Sequence, residues 1–177
     1  MDFVVALPWS EGCDAIWVVV DRLTKQRHLV PCHSNVDAKV LADLFLKWVF
    51  RLHGLPKTIT SDCGPQFASH FWGRLCERLQ VGQHLSTTFH PQTDGQTEGF
   101  NAVMEQYLRS YVNYLPDDWN SWLPLAEFAA NNHSSETTQL SPFFALHGYQ
   151  PRATTSQIPT TDPTPGDPDA LSSASAL

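Results

Sequence analysis

After its first residue, the opening run Asp2-Phe3-Val4-Val5-Ala6-Leu7-Pro8 is apolar, and it reads as a buried strand over 2–8. Trp9-Ser10-Glu11-Gly12 forms a turn. Ala15 to Asp21 is dense in β-branched and aromatic side chains that suit a pleated surface, so a second strand is expected there. His28-Leu29-Val30-Pro31 supplies a short third strand that Pro31 is expected to end, giving a three-stranded meander. From Asp37 to Leu52 the period changes. Val40, Leu41, Leu44, Phe45, Trp48, Val49 and Leu52 recur at helical spacing, and Gly54 with Pro56 closes the helix. A strand over 57–61 then leaves Asp62 at its tip. Pro65 opens a helix with the stripe Phe67, Phe71, Leu75 and Leu79, and 81–86 reads as a fifth strand.

Residues 87–97 are uniformly hydrophilic, with Pro91 and an Asp94-Gly95 turn, and read as a loop. From Glu98 a helical pattern begins. Phe100, Val103, Met104, Tyr107, Leu108, Tyr111 and Leu115 mark its apolar face, with Glu98, Asn101 and Glu105 on the opposite one. Residues 118–132 are helical in pattern, but Pro124 should interrupt them, giving a short turn and then a second helix. Ser141-Pro142 to Gly148 has the form of a capped final helix. Beyond Tyr149 come five prolines, many Ser and Thr and no aromatic residue. The expected organisation is an α/β domain over 1–150, its first strand truncated at its start, and a disordered Pro/Ser/Thr-rich tail over 151–177.

At 177 residues and 42% hydrophobic content, the chain can bury a sizeable core. Cys13, Cys32, Cys63 and Cys76 form no CxxC pair and no zinc-finger spacing, so reduced intracellular thiols are expected. No apolar run approaches the roughly 20 residues of a membrane helix. The net charge is −7, against expectation for a protein that grips a phosphate backbone. It is unevenly spread: residues 1–80 carry 9 Lys and Arg against 8 acids, whereas 81–150 carry Arg109 alone against 7.

Three acids stand out against that background: Asp2 in the first strand, Asp62 at the tip of another, and Glu98 at a helix start. By their numbers, 35 residues lie between Asp62 and Glu98. Each acid alone has an ordinary explanation. An Asp before Cys-Gly-Pro can begin a turn, and the helix dipole favours an acid in a first helical turn. Together, carboxylates delivered from two strands and a helix suit a pair of hard divalent cations, which can clamp both oxygens of an in-line phosphoryl displacement.

The flanking words decide between these readings. Met-Asp-Phe at 1–3, WVVVDRLTK at 17–25, FRLHGLP at 50–56, SDCGPQF at 61–67, FHPQTDGQTE at 89–98 and WLPLAEFAANN at 122–132 occur in one order over about residues 1–150. In these words the chain resembles the integrase catalytic core of gypsy-type long-terminal-repeat retrotransposons, within the retroviral integrase superfamily. The resemblance implies a ribonuclease-H-like fold, a five-stranded mixed sheet flanked by helices. It also implies polynucleotidyl transfer, meaning DNA 3′-end processing and strand transfer at an Asp-Asp-Glu site formed by Asp2, Asp62 and Glu98. Those residues would hold two Mg2+ ions (Mn2+ as substitute) with DNA bound, Asp2 bridging both. Asn101, and less strongly Gln66, His90, Gln92 and Asp94, would contact DNA. The implied partners are element ends and target DNA and a second copy in a homodimer or higher oligomer; the implied compartment is the nucleus.

Two departures matter. Most relatives carry Arg after the second Asp and after the Glu, where this chain has Cys63 and Gly99. With the acidic charge, they keep open a second reading: a decayed or domesticated integrase-like domain that binds nucleic acid or protein without turnover. A ribonuclease H proper fits the fold but not the 35-residue spacing or the word HPQTDGQTE.

Overall fold

The computed structural model describes residues 1–85 and 118–153. Glu98, Asn101, His90, Gln92 and Asp94, the loop over 87–97, the helix expected from Glu98 and nearly all of the 151–177 tail lie outside the described residues.

Strand β1, Asp2–Val4, is shorter than the apolar run suggests because Ala6 takes a left-handed φ of 61° and turns the chain away. It pairs antiparallel with β2, Ala15–Val20, with Asp2 opposite Val18. β2 pairs antiparallel with β3, Arg27–Cys32. The third strand is longer than expected, since Pro31 does not end it but sits opposite Ile16 within the ladder. Proline is tolerated there because β3 is the outer strand of this sheet. Its other outward-facing amides are met by side chains of a helix described below: Arg27 N–H by Asn131 Oδ1 at 2.9 Å and Leu29 N–H by Glu127 Oε2 at 2.7 Å. β4, Thr58–Ser61, pairs parallel with β5, Gly82–Leu85.

The two ladders meet at their adjoining strands, where the Met1 nitrogen donates to Thr60 O at 2.7 Å. One cavity touches Met1, the end of β2 (Val19, Val20), the start of β3 (Gln26, His28) and the start of β4 (Thr58, Ile59), so β1 and β4 begin at the same end and run the same way. The contact between Phe3 and Phe67 rings, 5.4 Å apart, fits that direction, because Phe67 lies beyond the far end of β4. The described strands form a three-stranded antiparallel sheet, β1-β2-β3, and a two-stranded parallel one, β4-β5; the Met1–Thr60 bond sets them edge to edge in the order 3-2-1-4-5, the mixed arrangement of a ribonuclease-H-like fold.

β2 is buried on both faces, and its alternation sorts the core into two layers. Ala15 and Trp17 join Leu41, Phe45, Phe67 and Trp72 on one face; Ile16 and Val18 join Trp119, Leu123 and Ala126 on the other. The first layer is covered by α1, Ala38–Phe45, whose N-cap Asp37 accepts from the Lys39 and Val40 amides. The helix does not run regularly to Leu52, as its period suggests. A π-turn over Leu46–Phe50 intervenes before the short α2, Arg51–His53, and Gly54 at φ 74° ends it. The buried seam is Leu41, Ala42, Phe45 and Val49, and Val40 and Leu52 face solvent.

α3 is His70–Arg78, not a helix opened by Pro65. Residues 64–68 form a turn, and Ser69 Oγ caps the helix by accepting from Trp72 N–H at 3.1 Å. This later start moves the buried stripe to Trp72 and Cys76, flanked by Leu75 and Leu79, and leaves Phe71 half exposed.

The other layer is covered by α4, Trp119–Asn132, one continuous helix despite Pro124. Pro124 is exposed, and burial of Trp119, Leu123 and Ala126 outweighs the one intrahelical bond it forfeits. α5, Pro142–His147, has the expected form: Ser141 caps Phe144 N–H and Gly148 is left-handed. The aromatic-containing stretches 45–50 and 119–128 divide between two roles. Phe45, Val49, Trp119 and Leu123 are core, while Leu46, Phe50, Trp122 and Leu125 are exposed. Among the described residues, no helix is long and apolar enough to cross a membrane.

Candidate metal centre

Asp2 stands one residue beyond the amine that bonds Thr60 O, and Asp62 stands two residues beyond Thr60. Because β1 and β4 run the same way, this register sets the two aspartates side by side on neighbouring strands, where backbones are about 4.8 Å apart. Alternation also gives them one face. Met1 and Phe3 pack into the layer under α1 and α3, as does Ile59, so Asp2 and Asp62 are out of phase with that layer and face the opposite side.

Local bonds orient each carboxylate. Asp2 Oδ1 accepts from Phe3 N–H at 2.8 Å, and Asp62 Oδ1 from Gly64 N–H at 3.2 Å. Both residues are half-buried. Gln66 joins Asp62 around Gly64: a Cβ there would stand 3.0 Å from Gln66 Nε2 and 3.1 Å from Asp62 Oδ1, so any side chain at this position would push both groups aside. By register, Asp2 and Asp62 thus fall at matching positions of neighbouring strands, with Gln66 beside Asp62. Among the described residues there is no cluster of three or more His, Cys, Asp and Glu able to hold a metal; Glu98 is not among them. Asp2 and Asp62 are hard oxygen donors of the type Mg2+ and Mn2+ take, so the residues in place fit such an ion.

None of the four cysteines is in a disulfide. Cys63, next to Asp62, is exposed, whereas burial pushes the Cys32 thiol up to about 12. Iodoacetamide at pH 8 is therefore expected to label Cys63 readily and to leave Cys32 unmodified in the folded chain, as peptide mass mapping would show.

A cavity of about 600 Å³ opens at the starting end of the strands and touches neither aspartate. On its wall lies a constellation that the sequence does not reveal. His28 of β3 meets Glu127 of α4 and His53 of α2, the ring nitrogens 3.3 Å from Glu127 Oε1 and 2.7 Å from His53 Nε2. His53 and Glu127 sit in two of the matched words, FRLHGLP and WLPLAEFAANN, which was the available signal. Their pairing across 25 and 99 residues was not readable.

Residues 1–91 match the family model for the integrase core domain. The Transposon Tf2-3 polyprotein of Schizosaccharomyces pombe (strain 972 / ATCC 24843) is 36% identical over 160 residues, 90% of this chain. The Tf2-4 polyprotein of the same organism matches equally. The chain spans 12% of the length of each. Among solved structures, a chain of the simian T-cell lymphotropic virus intasome in complex with PP2A regulatory subunit B56 gamma superposes with a TM-score of 0.68 at 19% identity, covering 92% of this chain and 58% of that one. The HTLV-2 integrase catalytic core domain in complex with magnesium gives 0.64 at 17% identity, covering 82% and 94%. At such identities the structural likeness speaks for the fold alone. The family match takes in both aspartate-bearing strands, and on that ground the chain belongs to the integrase core domain family.

Proposed function

We propose that this chain is the catalytic core of a retrotransposon integrase of the gypsy type, joining DNA by metal-dependent phosphoryl transfer in the nucleus. The observation that supports the reading most is the Met1–Thr60 bond, whose register puts Asp2 and Asp62 level on neighbouring strands of an integrase core domain. Glu98 completes the set in this proposal, and Asn101, Gln66, His90, Gln92 and Asp94 contact DNA. Divalent ions held there supply charge neutralisation at the transferring phosphoryl group and a more acidic attacking hydroxyl or water. The protein's part is to fix the carboxylates: Phe3 N–H and Gly64 N–H each hold one oxygen, leaving orientation settled before substrate arrives. Two ions, Mn2+ in place of Mg2+, and assembly as a dimer or larger oligomer on DNA ends belong to the same proposal. It is supported by a relative's core being solved with magnesium in a trimeric form.

The acidic balance of the chain, with Cys63 and Gly99 at positions where relatives carry Arg, supports a second reading: an integrase-like domain retained for binding without turnover. Incubation with a labelled oligonucleotide duplex and Mn2+ separates the two. An active core yields joined products that need the metal and disappear in Glu98→Gln. Absence of any product from the unaltered chain, at concentrations where it binds the duplex, would favour the binding domain.

A further inference from the structure

Away from the aspartates, both ring nitrogens of the buried His28 are engaged, Nδ1 with Glu127 and Nε2 with His53. Glu127 is itself held, accepting the Leu29 amide through its other oxygen. His28 lies opposite Val19 on β2, the strand that pairs with the one bearing Asp2. His53 closes α2, and residues 54–57 lead directly into β4, beyond whose end stands Asp62. The imidazole pair therefore ties the ladder carrying Asp2 to the lead-in of the strand carrying Asp62.

A 2.7 Å contact between two Nε2 atoms holds one proton, one ring donating and the other accepting. With ionised Glu127 accepting from His28 Nδ1–H, His28 Nε2 is the acceptor and His53 Nε2–H the donor. An added proton at His53 Nδ1 charges a ring that the fold partly desolvates.

We propose that His28 and His53, backed by Glu127, are positioning residues for the metal centre: sharing one proton, they hold β4 in the register that sets Asp62 beside Asp2, and an added proton at His53 weakens that hold. This rests on the metal-site reading above. Burial, then the neighbouring His28, lower the pKa of His53 below the usual imidazole range; Asp21 in the β2–β3 turn opposes this and His147 of α5 adds to it. Glu127 faces the pair from α4, and Arg22 and Lys57 line the same cavity. With His53 lowered, the unfolded chain binds more protons than the fold. Its stabilising share is complete above about pH 6.5 and is lost as pH falls through the lower folded value. Ordinary carboxylates titrate near 4, so the interval from about 6.5 down to about 5 isolates the imidazoles.

The test is Mn2+ affinity, read from the electron spin resonance signal of the free ion, between pH 5 and 7.5, with circular dichroism confirming the fold at each pH. In the unaltered chain, affinity is expected to fall by up to about tenfold per pH unit within that interval. His53→Gln, whose amide can donate from near the Nε2 position without titrating, should keep the pH 7.5 affinity and lose the dependence. His53→Ala should bind more weakly throughout. Identical pH profiles for the unaltered chain and His53→Gln overturn the positioning role while leaving the metal site intact. No Mn2+ binding by the unaltered chain at pH 7.5 removes both.

Discussion

Asp62→Asn is expected to abolish stabilisation by Mn2+ and to lower metal-dependent joining by about three orders of magnitude. A metal clamp contributes several kcal/mol of transition-state stabilisation, and each 1.36 kcal/mol is a factor of ten, so about 4 kcal/mol gives that figure. The substitution is nearly isosteric. The Asn carbonyl oxygen can still accept from Gly64 N–H, so the turn survives and only the charge is lost. Removing one of two like charges on neighbouring strands also relieves repulsion, so metal-free Asp62→Asn should melt no lower than the parent. Thermal melts with and without Mn2+, beside the oligonucleotide assay, check both halves. Equal Mn2+ stabilisation of parent and variant would remove Asp62 from the site.

The largest expected effect on stability belongs to Trp119→Ala, at about 3–5 kcal/mol, the range for truncating a buried aromatic side chain. Trp119 is 1% exposed and packs with Val4, Ile16 and Val18, directly behind the strand that carries Asp2. Its indole N–H also donates to Pro8 O at 2.6 Å, fixing the segment through which β1 leaves the sheet. Buried area, a satisfied polar group and the seat of an acid-bearing strand thus meet in one side chain. Trp122→Ala, on the same helix but 40% exposed, should cost no more than about 1 kcal/mol. Urea midpoints at constant slope give the comparison. Similar losses for both would mean that α4 does not anchor this layer.

How much of this was written in the chain varies with the range of the interaction. Strands β2 and β4 and the helix ending at Gly148 were readable because each depends on neighbours: β-branched runs, a Ser-Pro cap, a left-handed glycine. The face shared by Asp2 and Asp62 followed from alternation once their strands were known. What escaped was decided at a distance. The helix through Pro124 persists because of what it buries against the sheet, and the π-turn at Leu46–Phe50 shifts side chains by one position without any Gly or Pro to announce it. The start of α3 moved because Ser69, rather than Pro65, provides the cap. The His28–His53–Glu127 contact joins residues of three segments that local pattern leaves unrelated.

The outer strand β3 shows how this fold meets its neighbours. Along its free side, one amide is taken by Asn131, the next by Glu127, and at the third position Pro31 has none to give. A foreign strand approaching that rim finds no donor to zip onto, which is a built-in guard against polymerisation through the sheet. Strand-to-strand association through this rim is therefore disfavoured, and pairing of copies along β3 is expected only when Asn131 or Glu127 is removed.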